Sequence, residues 1–306
     1  MKNLINHFYN FNISDISYSS GKYYFKNNDI RYMLKLVNSN KYSLSFNELN
    51  SEIINDGYLF FFIIVPNKYD QFITYFDNKS YVLLKLSNIV NSRINIFDIR
   101  TDLFIKNSHI NNHFDKVIWQ KLWENKIDYF EDLFSKRANQ FYKYYPLFNY
   151  FIGISENALL FLKEASAQKI IENADDFVIQ HRRINCFDSL YDYYDTSEVI
   201  LDHASRDISE YIKSCFLNDM WDIQLFSDYL DCHYFSKYGL TIMYSRILFP
   251  TFFFDYIDNF LVDGNDAKIV NLEKKIEEYQ LFLYQVSNLF NIKYGIKTIE
   301  WILKKA

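Results

Sequence analysis

The chain has 306 residues, 49% of them apolar and 23% charged, with a formal net charge of −5. That length supplies a real core for one large domain or two packed lobes. Its Lys and Arg are dispersed, the longest local groups being Arg182-Arg183 and Lys304-Lys305, which excludes a polyanion binder because phosphate contacts need concentrated positive charge.

Thirty Phe and 27 Tyr stand against six Gly and three Pro. The aromatic residues are spread evenly, as codon bias in an AT-rich genome would spread them, rather than gathered into a binding surface. Three cysteines, Cys186, Cys215 and Cys232, form no CxxC pair, so neither a disulfide framework nor a zinc ribbon is encoded. The N-terminus lacks the apolar stretch of a signal peptide. The longest apolar run, Tyr58 to Pro66, is about half of what a spanning helix requires. The expected location is cytoplasmic, without membrane or nucleic-acid partners.

Up to about residue 98 the pattern is mostly strand. Lys22 to Lys26 and Ile30 to Val37 are β-rich runs around an Asn27-Asn28-Asp29 turn. Ser43 to Ile54 reads as a helix opening on a weak capping-box signal at Ser45-Phe46-Asn47-Glu48. Strands then follow at Leu59 to Val65, Gln71 to Phe76 and Tyr81 to Leu86, with a loop near Pro66 to Asp70. The order is β-β-α-β-β-β, a small antiparallel sheet carrying one helix.

From residue 99 onward the pattern is mainly helical. Trp119, Leu122, Trp123, Ile127 and Phe130 mark one buried face of a helix over His113 to Gln140. A second helix covers Glu156 to Glu164. Phe177 to Gln180 and Val199 to Leu201 read as strands that deliver His181 and Asp202, and everything after Asp207 reads as helix. The Ile269, Leu272, Ile276, Tyr279, Leu283, Val286, Phe290 stripe is expected in the core rather than in an intermolecular coiled coil. Ser245 to Asp255 is expected as a buried helix interrupted at Pro250, with Arg246 and Asp255 as polar anchors.

The run Gln180-His181-Arg182-Arg183-Ile184-Asn185-Cys186-Phe187-Asp188, followed by Val199-Ile200-Leu201-Asp202, places polar residues at strand ends, where rigid scaffolds carry chemistry. It resembles the H-R-D-L-x-x-x-N catalytic loop of the protein-kinase-like and aminoglycoside-phosphotransferase-like fold. His181 and Arg182 match the first two positions and Ile184 the fourth. Asp188 stands for the metal-binding Asn, and Asp202 for the Mg²⁺ Asp. Arg206-Asp207-Ile208 looks like the opening of the next helix in aminoglycoside and choline kinase relatives. The Trp119-x-x-Leu122-Trp123 helix and Gly153-x-x-Glu156-Asn157-Ala158 look like the spore-coat-associated kinase-like proteins of spore-forming bacteria.

The resemblance implies an α+β, two-lobed chain: a β-rich N-lobe over 1–98 and a mainly helical C-lobe over 99–306. It implies a nucleotide-anchoring Lys35 paired with Glu48 or Glu52, and metal ligands Asp188 and Asp202. ATP and Mg²⁺ are the implied ligands only if that site survives, and the first seventy residues hold no Gly-rich loop, only Gly21 and Gly57.

Position 183, which should hold the catalytic carboxylate, holds Arg, a group that cannot accept a proton near neutrality. Arg183 is expected instead as a counter-ion for Asp188 or Asp202. The degenerate loop implies a pseudokinase acting by binding an unidentified protein partner, with spore association. The alternative is an active phosphotransferase in which Asp188, Asp207 or a substrate group replaces the base.

Weaker combinations are a metal site of His181, Asp202 and His203, a His109 and His113 pair, and a Cys186–His181 nucleophile. Residues 183, 188 and 202 are expected to converge with Lys35 on one inter-lobe cleft. A sheet order incompatible with five strands and a flanking helix would point to an unrelated fold.

Overall fold

Left-handed residues punctuate the first part of the chain and set its hairpins. The computed structural model describes residues 1–37, 46–104, 119–168, 172, 175 and 177–303. Helix α1 (Lys2–Tyr9) ends at Asn10 with φ 53°. Strand β1 (Ser17–Ser19) turns into β2 (Lys22–Asn27) through Ser20 and Gly21, at φ 49° and 76°. β2 turns into β3 (Ile30–Val37) through Asn28 and Asp29, and β5 (Thr74–Phe76) into β6 (Lys79–Lys85) through Asp77 and Asn78, again all at positive φ. Two central residues in this region give the twist that suits a two-residue hairpin.

Helix α2 (Phe46–Asn55) and β4 (Ile63–Val65) lie between these hairpins. The sheet runs β1-β2-β3-β6-β4, with β5 also on β6, antiparallel throughout. α1 and β1 add to the expected pattern. The expected strand over Leu59–Val65 shrinks to its last three residues because the preceding backbone is committed elsewhere. Phe61 N closes a turn onto Tyr58 O, and Phe62 N donates to Tyr194 O of the other lobe. The strand expected over Gln71–Phe76 likewise shortens to β5.

The larger lobe is helical. It comprises α3 (Trp119–Lys136), α4 (Ala138–Phe141), α5 (Tyr145–Gln168), the hairpin of β7 (Phe177–His181) and β8 (Val199–His203), and the short α6 (Leu190–Tyr193) between those strands. Then come α7 (Ser205–Leu217), α8 (Ile223–Cys232), α9 (Lys237–Leu248), α10 (Thr251–Asp263), α11 (Ala267–Lys274), α12 (Ile276–Tyr294) and α13 (Glu300–Leu303). Pro250 sits between α9 and α10, where its missing N–H costs no helical bond.

The heptad-like stripe is core, as its periodicity indicates: Ile269, Leu272, Tyr279, Leu283, Val286 and Phe290 are buried in the main helical cluster. On α3, Trp123, Ile127 and Phe130 are buried, but Leu122 is exposed. The three cysteines are free thiols. Ser45, His109, His113 and Lys304-Lys305 lie outside the described residues, as does the start of the helix expected from His113. No helix among the described residues is long and apolar enough to cross a membrane.

Apolar side chains join the lobes. Leu49 and Ile53 of α2 pack with Phe61 against Ile179 of β7 and Val199 and Leu201 of β8. The β7–β8 hairpin is thereby held under the small lobe, and the loop between its strands faces the sheet.

Candidate active-site cleft

A cleft of about 510 Å³ opens between the sheet and the helical lobe. Lys22, Lys35, Arg183, Asp188, Asp195 and Glu210 are among its walls. Three of the four residues expected to meet there, Lys35, Arg183 and Asp188, do so. Asp202 does not.

Asp202 lies on β8 and is fully buried. Its Oδ1 accepts from Arg246 Nη2 at 2.8 Å and from His203 N at 2.6 Å. Its Oδ2 accepts from Arg206 Nη1 at 2.8 Å and Trp119 Nε1 at 3.0 Å. Arg246 also stacks on the Trp119 ring at 3.9 Å. Both oxygens are thus saturated by two guanidinium groups and an indole, and a metal ion would have to displace cations to reach them. The spacing to Asp202 suggested a site residue, yet the strand carrying it pairs with β7 and turns the side chain into the helical core.

Asp195, seven residues earlier, holds the place in the cleft that Asp202 was expected to hold. Lys35 Nζ donates to Asp195 Oδ2 and to Glu198 Oε1, each at 2.7 Å. Asp195 also caps the following 3-10 turn, accepting from Ser197 N and Ser197 Oγ. Burial by itself would depress the Lys35 ammonium, but the two carboxylates outweigh it and hold it above the ordinary lysine range. The expected pairing of Lys35 with Glu48 is replaced by this pair. Glu48 sits on an exposed face of α2. Glu52 is buried on the same helix.

Arg183 reaches neither Asp188 nor Asp202. Its Nη2 lies 2.9 Å from Asp255 Oδ2 on α10, and its Nη1 lies 3.8 Å from Glu210 on α7. Asp255 also faces Lys126 at 3.3 Å. Glu210 is held to about 2 by Lys213, Arg206 and Arg183 against the opposing effect of its burial. The counter-ions of the guanidinium are therefore on the helical wall, because the backbone turn after His181 points position 183 outward.

Asp188 accepts from Asn185 N at 2.7 Å, closing the loop after β7 on itself. Its carboxyl is raised above the ordinary range, first by burial and then by Asp192. Asp192 is lowered: Lys22 and Ser189 outweigh its burial. Behind the loop, His181 is buried. Its Nδ1 lies 2.6 Å from Asp207 Oδ2, and its N–H donates to Asp207 Oδ1. Burial disfavours its charged form, but Asp207 prevails and raises it. Arg206 fastens the same loop through the carbonyls of His181 and Arg182, at 2.7 and 2.8 Å. His181 thus orients backbone and does not face Cys186, whose thiol meets Ser214 and Asn218 instead. Among the described residues, no group of three or more His, Cys, Asp or Glu side chains is placed to hold a metal ion, the His181, Asp202, His203 combination included.

These geometries accompany a clear kinship. A family profile described as "Spore coat putative kinase YutH" matches residues 2–285. The chain belongs to this spore-coat kinase-like family. Endospore coat-associated protein YutH of Bacillus subtilis (strain 168) is 26% identical over 212 residues, an alignment that spans 61% of the chain and 61% of that relative. Among solved structures, an aminoglycoside phosphotransferase from Alicyclobacillus acidocaldarius superposes with a TM-score of 0.66 at 10% identity, covering 92% of this chain and 93% of that one. The AMP-bound spectinomycin phosphotransferase APH(9)-Ia gives 0.57 at 12% identity, covering 90% and 93%. The fold of this YutH-family chain is therefore kinase-like, with an antiparallel-sheet lobe and a larger helical lobe.

Sequence reasoning overlooked Lys22, Tyr191, Asp192, Asp195 and Glu198. One signal was available. Asp188, Asp192, Asp195 and Glu198 recur at spacings of three and four, in the one stretch between β7 and β8 that also carries three tyrosines.

Proposed function

We propose that the chain is a catalytically impaired kinase-like protein that acts by binding, as a scaffold associated with the spore coat. The observation that carries this is Arg183. It occupies the position of the proton-accepting carboxylate, and its guanidinium is engaged by Asp255 on the helical wall. Phosphoryl transfer of this type relies on positioning and electrostatics around a base, a lysine and metal-bound phosphates. The base is replaced by a group of the wrong charge, and the lysine is taken.

The surroundings do not fit a nucleotide with Mg²⁺ either. The β1–β2 turn, Ser20-Gly21, is two residues long and offers no run of backbone amides to cradle phosphates. Lys35 is shared between two carboxylates of the chain itself, and Asp195 is committed to Lys35 and Ser197. The description of the Bacillus subtilis relative as endospore coat-associated supports the location.

An active phosphotransferase is the second reading, and one observation favours it. Asp188 lines the cleft with its carboxyl raised toward neutrality, the direction that suits a general base.

Incubation with radiolabelled ATP and Mg²⁺, with free choline, aminoglycosides and generic protein acceptors, tests both. No label above background supports the binding role. Label transfer that disappears in Asp188→Asn establishes the enzyme.

A further inference from the structure

The stretch between β7 and β8 packs against the sheet and lines the cleft beside the two lysines of the small lobe. Tyr191 rises from the helical lobe and packs beneath the sheet, 8% exposed. Its ring lies edge-on to Phe62 at 5.2 Å, and its hydroxyl accepts from Arg31 Nη1 at 2.8 Å. Next along the chain, Asp192 takes Lys22 beside the β1–β2 turn, and Asp195 and Glu198 take Lys35. Backbone contacts seat the same stretch. Phe62 N donates to Tyr194 O at 2.9 Å, Thr196 Oγ1 donates to Phe62 O, and Tyr191 N donates to Asn91 Oδ1 at 3.1 Å.

We propose that Leu190–Glu198 is an intramolecular stand-in for a nucleotide, with the Tyr191 ring under the sheet and the Asp192, Asp195 and Glu198 carboxylates on the two lysines of the small lobe. A buried aromatic ring followed by anions is the order in which a nucleoside polyphosphate presents its own groups. Two lysines against three carboxylates leave this patch one charge negative, so an incoming polyphosphate meets net repulsion as well as occupied donors. Nothing about the peptide is strained by this. Ser189 and Asp192 form a reciprocal capping box, and Asp195 caps the next turn, so the segment is locally self-consistent.

This inference rests on the kinase-like layout of the cleft and is independent of the loss of the base. Hydrogen exchange followed by mass spectrometry tests it, on the wild type and on Lys22→Met. Removing the Lys22 tie should speed exchange in 189–198 and in the β1–β2 hairpin by about tenfold, while α9 to α12 stay as they were. If Lys22→Met fails to fold, Tyr191→Phe, which removes only the hydroxyl held by Arg31, gives the same readout. In parallel, the wild type is titrated with ADP and with ATP plus Mg²⁺ to ~5 mM, where a site of micromolar affinity would give a clear thermal shift. No saturable shift, or a shift that strips protection from 189–198, supports the stand-in. Micromolar nucleotide binding with that protection unchanged overturns it, as does unchanged exchange in the variant. Nucleotide binding of that kind without phosphoryl transfer would sink this inference and leave the proposed binding role intact.

Discussion

Lys35 of β3 and Asp195 of the helical lobe meet at 2.7 Å across 160 residues of sequence, with Asp195 only 1% exposed. A lysine alternating with apolar residues on a strand is commonly a solvated one. Here it is the pin between two lobes.

Lys35→Met should therefore destabilise the protein by about 3 kcal/mol, since it strands a buried carboxylate. Lys35→Met combined with Asp195→Asn should recover part of that loss, because contacting partners are not additive. Urea unfolding of the two single variants and the double variant measures the coupling. Additive losses would deny the pair any energetic connection.

Arg183→Asp puts a carboxylate at the position that the loop resemblance gives to the base. It should not restore phosphoryl transfer, because both lysines of the small lobe keep their carboxylate partners. Its effect on stability should stay within about 1 kcal/mol, as expected of an exposed ion pair. A radiolabel assay beside a melting curve reads both quantities on one preparation.

Asp202→Ala should cost about 3–5 kcal/mol by leaving Arg206 and Arg246 without their shared counter-ion. The loss should be the same in Mg²⁺ and in chelator, since the residue is a structural anchor. Magnesium-dependent stability of the wild type that vanishes in this variant would return Asp202 to a metal site.

His181 gives a pH dependence whose sign is fixed by its raised value. A histidine favoured in its charged form by the fold stabilises fully below its unfolded value near 6.5. That contribution is lost as pH rises from there through the folded value. The melting temperature should accordingly decline over that interval in the wild type, and the decline should be absent in His181→Asn. Asp188 is also raised, so its charge opposes folding above the carboxylate range. Asp188→Asn should raise the melting temperature near neutrality by on the order of 1 °C.

The fold class was legible in the sequence because hairpins and amphipathic helices announce themselves locally. Asn28 and Asp29 turn where Asn27-Asn28-Asp29 was read, and the Ile269 to Phe290 stripe is core. The cleft was half legible. His181 and Asp188 are recognisable by spacing along one loop, and Lys35 by its place on the third strand. Asp195 could not be picked out by position alone. Which of several carboxylates reaches Lys35 depends on how β7 and β8 register, His181 opposite Val199, and that pairing turns Asp202 inward. Arg183 misled for a similar reason, since its partner Asp255 lies 72 residues away on a helix that starts only after Pro250.

The nine residues from Leu190 to Glu198 tie the halves of the molecule together at points on both the hairpin and the third strand. An enzyme of this layout must breathe to admit and release what it works on. In this chain the two halves can separate only by breaking the ion pairs of Lys22 with Asp192 and of Lys35 with Asp195.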